Sequence, residues 1–173
     1  MRVLVHVCCA PCSILFLDRL EGEGFSPRAF WYNPNIHPFT EYKRRMEEVL
    51  KIFPDTIVDD YEFVEYFRRV SGREERRCEI CYDMRLSRTA EVARRENFPL
   101  FTTTLLISPY QNLELIKAKG EDAGRRFGVE FLFRDMRDIF RESHRLAREK
   151  GIYLQKYCGC IYSEYERFKC SKK

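Results

Sequence analysis

The chain has 173 residues, 45% of them hydrophobic, which is enough for one ordinary domain with a real core and no need of disulfides. Its formal net charge is only +4, but 22 of its 31 basic residues are Arg. Arg presents a planar fork suited to phosphate, which favours a nucleic-acid partner, although a surface rich in ion pairs accounts for the same composition. No apolar run approaches the ~20 residues of a membrane span, and the apolar stretch from Val3 to Val7 is too short for a signal peptide, so no membrane partner and a cytoplasmic location are expected.

Short apolar runs alternate along the chain with longer amphipathic ones. Residues 2–7 predict a buried strand, and Pro11 opens a helix that runs to about residue 20. A second strand over 29–32 leads to a helix over 38–53, with Tyr42, Met46, Val49 and Phe53 at helical spacing. A short strand at 56–58 and a helix over 61–70 follow, then a helix from about 78 to 97. Residues 100–103 predict a strand, 113–127 a helix ending at Gly128, and 129–133 another strand. A basic helix then stops at Gly151. No repeat or linker marks a boundary, so residues 1–173 read as a single α/β domain. The alternation predicts a three-layer, Rossmann-like α/β fold with a mainly parallel sheet.

Ligands in such folds bind beyond the carboxyl ends of the strands. Three polar segments follow predicted strands: Cys8-Cys9-Ala10-Pro11-Cys12, Tyr32-Asn33-Pro34-Asn35-Ile36-His37, and Thr102-Thr103-Thr104 leading to Ser108-Pro109-Tyr110-Gln111-Asn112. Core packing does not require polarity there, so this edge is the expected active site.

Seven of the eight cysteines fall in tight groups: Cys8, Cys9 and Cys12; Cys78 and Cys81; Cys158 and Cys160. In a reducing compartment such grouping points to metal ligands or redox groups more than to disulfides. Four thiolates are the usual complement of a [4Fe–4S] cluster. Cys78 and Cys81 lie one helical turn apart, and Cys8 and Cys9 sit at a strand-to-helix junction where a helix N-terminus stabilises thiolates. A structural Cys₄ zinc site is the competing reading, for which an adjacent Cys-Cys pair is an odd knuckle. Cys158-Gly159-Cys160 can form only a strained, easily reduced disulfide, which suits an electron relay. The same pair with Cys12 can instead hold a second metal ion, iron or zinc. Cys170 stands alone.

Taken together, Cys8-Cys9-Ala10-Pro11-Cys12, Tyr32-Asn33-Pro34-Asn35-Ile36 with Pro38, Glu41 and Tyr42, Arg77-Cys78 with Cys81-Tyr82 and Arg85-Leu86, Thr102-Thr103-Thr104-Leu105-Leu106 with Ser108-Pro109-Tyr110, and Tyr157-Cys158-Gly159-Cys160 resemble the QueH-type, cobalamin-independent epoxyqueuosine reductases, in the family's order. The resemblance implies a [4Fe–4S] cluster on Cys8, Cys9, Cys78 and Cys81 and a redox-active Cys158/Cys160 pair. It also implies the last step of queuosine synthesis, the two-electron removal of the epoxide oxygen from epoxyqueuosine in the anticodon loop of tRNA, and a fold like that of the adenine-nucleotide α-hydrolase group. The Ser-Gly-Gly-x-Asp-Ser phosphate loop of that group's pyrophosphatases is missing, so ATP use is not expected.

Such a reaction also needs an electron donor, which the sequence does not identify, and a proton source. Tyr32, His37, Tyr82 and Tyr110 are candidate acids, each on or beside a segment bound for the active edge. Asn33, Asn35, Thr103 and Ser108 are candidate contacts to the cyclopentanediol or the base. Arg73, Arg76 and Arg77 precede Cys78 and, with Arg85, are candidate tRNA contacts. Arg134, Arg137, Arg141, Arg145 and Arg148 recur as one helical stripe, fit either to follow phosphates or to pair with Asp138, Glu142 and Glu149. The rival readings are a cluster-dependent tRNA thiolation enzyme, a thiol–disulfide oxidoreductase, and a zinc-stabilised tRNA-binding module.

Overall fold

Residues 1–170 are described by a computed structural model. The strand Arg2–His6 (β1) forms the middle of a five-stranded parallel sheet, with Ser26–Trp31 (β2) and Ile57–Val58 (β3) on one side and Leu100–Thr103 (β4) and Glu130–Phe131 (β5) on the other. β1 takes the centre because it is apolar on both faces: Val3, Leu4 and Val5 are all fully buried. Val5 pairs with Ala29 across one edge and with Thr102 across the other.

Among the described residues seven α-helices complete the fold: Ala10–Gly22 (α1), Phe39–Ile52 (α2), Phe63–Val70 (α3), Arg77–Arg95 (α4), Leu113–Phe127 (α5), Phe140–Glu149 (α6) and Ile161–Phe168 (α7). From β1 the chain winds through α1 to β2 on one side, and from β4 through α5 to β5 on the other. Right-handed crossovers in opposite directions put α1 and α5 on opposite faces of the sheet. α6 and α2 pack with α1, and α3 and α4 pack with α5's layer. Between α5 and β5 the approach is close: a Cβ on Gly120 would sit 2.4 Å from the Phe131 ring. Gly128, at φ +68°, supplies the left-handed residue that ends α5.

The strands and first five helices lie where the apolar pattern puts them, to within a few residues. Two expectations need correction. The basic stretch after β5 is not one helix: α6 begins only at Phe140, after a 3₁₀ turn over Arg137–Ile139, so Arg134 and Arg137 lie outside it. α7 follows the last cysteine pair and has no counterpart among the predicted elements. Its N-cap is Cys160, whose sulfur accepts from the Ser163 N–H at 3.4 Å.

Candidate active site

The direction of winding reverses between β1 and β4, which opens a crevice at their carboxyl ends. His6, the last residue of β1, ties three strand ends together there. Its Nδ1 lies 2.9 Å from Thr103 Oγ1, and its Nε2 lies 3.1 Å from the Tyr32 carbonyl and 3.2 Å from Asn33 Oδ1. Burial, helped by the neighbouring Arg85 charge, lowers its pKa to about 4, so the ring is a neutral strut. Asn33 also donates to the Val7 carbonyl at 2.9 Å, and Thr103 Oγ1 accepts from the Leu105 N–H at 3.2 Å. Both residues are thus spent on holding the edge together.

Cys8, Cys9 and Cys12 lie on this edge with all three sulfurs within 4.8 Å of one another. The helix start explains the grouping. Cys9 is the N-cap of α1, in extended conformation, and Cys12 occupies the first turn, where cap and third-residue side chains adjoin. Thr104 Oγ1 is 3.5 Å from Cys8 Sγ, and Gln155 Nε2 is 2.9 Å from Cys9 Sγ. Hydrogen bonds from Cys12 and Cys9 hold the Cys8 thiol well below its ordinary pKa, and the same contacts push Cys12 up.

The other four grouped cysteines form a second set. Cys78 and Cys81 open α4, and Cys81 packs with Cys160, Tyr66, Val70 and Met84. Burial raises Cys81 to about 12, against the pull of Arg85. Arg85 lies between the two sets. It is 2% exposed and donates from Nε to the Cys81 carbonyl at 3.3 Å, yet among the described residues no carboxylate lies within ion-pairing distance. Burial disfavours its charged form, and the negative charge that Cys81, Cys158 and Cys8 carry as thiolates favours it and raises its pKa.

A second buried cation positions the last cysteine pair. Arg45, also 2% exposed, pairs with Glu41 at 2.7 Å and donates to the carbonyls of Cys158 (2.8 Å) and Tyr157 (3.1 Å). Glu41 in turn accepts from the Tyr153 hydroxyl at 2.8 Å. The His37 N–H donates to the Gly159 carbonyl at 2.8 Å, and the Tyr157 hydroxyl donates to the His37 carbonyl. Gly159, at φ +155°, fits closely: a Cβ there would lie 3.1 Å from Ile36 and 3.2 Å from the Asn35 amide.

A cavity of about 680 Å³ opens over Cys8, Cys12, Cys158 and Arg85. Ser108, Tyr110 and Gln111 line it, as do residues that motif reasoning did not single out: Phe140, His144, Gln155 and Arg167. Tyr82 reaches it indirectly, donating to Gln111 Oε1 at 2.6 Å. Tyr32 faces elsewhere: its hydroxyl donates to Glu62 at 2.7 Å in a separate groove lined also by Arg69 and Arg88. His37 stacks on Phe67, and burial lowers it to about 4. Asn35 is buried against the Gly159 loop, its Oδ1 without a hydrogen-bond partner among the described residues. Arg76 pairs with Glu79 at 2.8 Å and Arg77 with Glu166 at 2.5 Å, while Arg73 is exposed; none of the three lines the cavity. Cys78 and Cys170 are exposed.

Known proteins resemble this chain over nearly its whole length. The family described as epoxyqueuosine reductase QueH matches residues 3–166. The epoxyqueuosine reductase QueH of Dehalococcoides mccartyi is 38% identical over 172 residues, covering 96% of this chain and 94% of that one. That of Thermotoga maritima is 37% identical over 180 residues, covering 95% and 91%. Among solved structures, a predicted subunit of tRNA methyltransferase from Methanocaldococcus jannaschii aligns over 88% of this chain and 89% of that one, with a TM-score of 0.51 and 14% identity, a likeness of fold. With a matched family model, relatives of this identity, a parallel α/β fold and a thiol-lined crevice at its switch point, the chain belongs to the epoxyqueuosine reductase QueH family.

Proposed function

We propose that the chain reduces epoxyqueuosine in tRNA to queuosine with a [4Fe–4S] cluster held by Cys8, Cys9, Cys78 and Cys81, and with Cys158 and Cys160 as a redox pair beside it. The family assignment makes the chain an oxidoreductase of queuosine biosynthesis. The observation that carries the finer reading is Arg85: a buried guanidinium among Cys8, Cys81 and Cys158, with no carboxylate among the described residues to balance it. A buried cation without a counter-charge is costly, and thiolates on a metal supply that charge. The amide of Gln155 and the hydroxyl of Thr104, both aimed at sulfur, suit the same ligands. When bound, such a cluster supplies electrons one at a time.

Removing the epoxide oxygen breaks two C–O bonds, forms one C=C bond, consumes two electrons and two protons, and releases water. Oxidation of the Cys158 and Cys160 thiols to a disulfide releases that same complement, and an electron-donor partner returns the pair to thiols. Arg45 holds the Cys158 carbonyl, which keeps this sulfur on the cavity wall. Cys12 and the Cys158/Cys160 pair are also the thiols available to a second metal ion. Among the described residues no Asp or Glu lines the cavity, which leaves the thiols, Tyr110, Tyr157, His144, Lys156 and water as proton sources. The position of Ser108 on the cavity wall supports its reading as a hydrogen-bond partner of the sugar-like ring.

The reaction is tested by incubating the anaerobic enzyme with epoxyqueuosine tRNA and a strong reductant, then weighing the released nucleosides. Wild-type enzyme is expected to yield product lighter by one oxygen, and Cys158→Ser to lose at least ~100-fold in rate, the scale of removing a reacting group. Full turnover by Cys158→Ser would eliminate the redox pair from the reaction.

A further inference from the structure

The five arginines of the basic stretch are not equivalent in the fold. Arg134 pairs with Glu23 at 3.4 Å, Arg137 with Asp135 at 2.6 Å, and Arg145 with Glu142 at 2.5 Å and with Glu149. Arg141 and Arg148 have no carboxylate within 4.0 Å among the described residues, and both line the thiol cavity. The helix dictates this split. Ser143 and Ala147 are buried against α1, with Ser143 donating to the Pro11 carbonyl at 2.5 Å. Phe140, Arg141, His144 and Arg148 recur at four- and seven-residue intervals on the adjoining face, which looks into the cavity. Arg145 points away, with its acidic partners.

Two more cations, Lys156 and Arg167, stand on the same rim, exposed and without carboxylates among the described residues. With Arg85, five positive side chains line the cavity, and among the described residues no carboxylate does. Between them lie rings. Phe140 lies 4.1 Å from His144 with the rings tilted by 41° and meets Tyr110 edge-on at 5.9 Å, and Tyr110 is 83% exposed. Cations that track a backbone, interleaved with rings that take a base, are the pattern of single-stranded nucleic-acid sites. A cavity of about 680 Å³ is in the range that encloses a nucleoside.

We infer that this face of α6, with Tyr110, Lys156 and Arg167, is where an RNA loop docks: one base leaves its stack to lie against Phe140 and Tyr110, and Arg141, Arg148, Lys156 and Arg167 hold the flanking phosphates. The inference rests on the reading that the substrate nucleoside is carried in tRNA. It moves the RNA contact away from Arg76 and Arg77, which already have carboxylate partners. Phe140 is also adjacent to the chemistry, since it shares the cavity with Cys8 and Cys158.

Binding of full-length enzyme to a fluorescent tRNA anticodon stem–loop, measured by anisotropy across a salt series, tests this. Arg141→Gln/Arg148→Gln is expected to bind at least ~10-fold more weakly, with a salt slope smaller by roughly 2, as two lost phosphate contacts require. Phe140→Ala should weaken binding roughly 5- to 100-fold with the slope unchanged, the signature of a lost stack. Arg137→Gln/Arg145→Gln removes equal charge from the paired positions and should bind like wild type. Wild-type affinity and slope in Arg141→Gln/Arg148→Gln, or an equal loss in Arg137→Gln/Arg145→Gln, would overturn the docking surface. Turnover of epoxyqueuosine tRNA by the wild type, run in parallel, separates the two levels: its absence strikes the reading on which the inference rests, whereas turnover with unaltered binding in the variants strikes the inference alone.

Discussion

At the scale of single residues, burial decides which polar groups support the site and which act in it. His6, Asn33 and Thr103 are wholly consumed by hydrogen bonds that fasten strand ends. Arg85 and Arg45 are equally buried but differ in what balances them: Arg45 has Glu41, whereas Arg85 has only thiols. His37 has a measurable consequence. It titrates near 6.5 when free but near 4 in the fold, because burial disfavours its charged form. Between those values the unfolded chain binds more protons than the folded one, so stability is lost as pH falls through that window. From pH 7 to pH 5 the loss should be about 2 kcal/mol. Urea unfolding of the wild type and of His37→Gln at both values checks this: the variant should show a pH slope shallower by that amount, and equal slopes would remove His37 as the cause.

At the scale of elements, the apolar pattern was sufficient for the strands and for α1 to α5. A strand buried on both faces reads as an unbroken apolar run, and Val3-Leu4-Val5 is one. The carboxyl edge was legible for the same reason, because polarity there has no packing role. What was not legible depends on contacts between distant parts. α7 has no buried residue of its own to give it a periodic signal, and its cap is a cysteine sulfur. The arginine stripe reads as one helix because charge spacing ignores the 3₁₀ turn over Arg137–Ile139, where Asp135 captures Arg137. Arg45 lies on α2, yet its partners lie 112 and 113 residues on. Gly120 is a further case: nothing local marks it, but the α5–β5 approach leaves no room for a methyl group. Gly120→Ala is expected to destabilise the fold by roughly 1–3 kcal/mol through overpacking. Equilibrium unfolding measures this, and an unchanged midpoint would mean that helix and strand separate freely.

At the scale of the whole molecule, a net charge of +4 conceals a local separation. Many surface charges are paired with a neighbour one helical turn away, while the thiol cavity collects Arg85, Arg141, Arg148, Lys156 and Arg167 with no carboxylate among the described residues that line it. Low-dielectric walls around one sign of charge concentrate an anionic partner. At the sheet's switch point Cys8 and Cys12 of the β1–α1 junction and Cys158 of the last cysteine pair line that cavity, while Cys81 and Cys160 are buried together beside α3 and α4. Among the described residues the tightest sulfur set is Cys8, Cys9 and Cys12, whereas the proposed ligand set takes Cys78 and Cys81 from α4 in place of Cys12. Elemental analysis of the anaerobically reconstituted protein tests this most directly, with iron, acid-labile sulfide and the visible spectrum measured for the wild type, Cys81→Ser and Cys12→Ser. About four iron and four sulfide per chain are expected in the wild type and in Cys12→Ser, with a brown colour that bleaches on reduction, and loss of both in Cys81→Ser. A colourless, zinc-loaded wild type, or a cluster retained in Cys81→Ser but lost in Cys12→Ser, would contradict that ligand set.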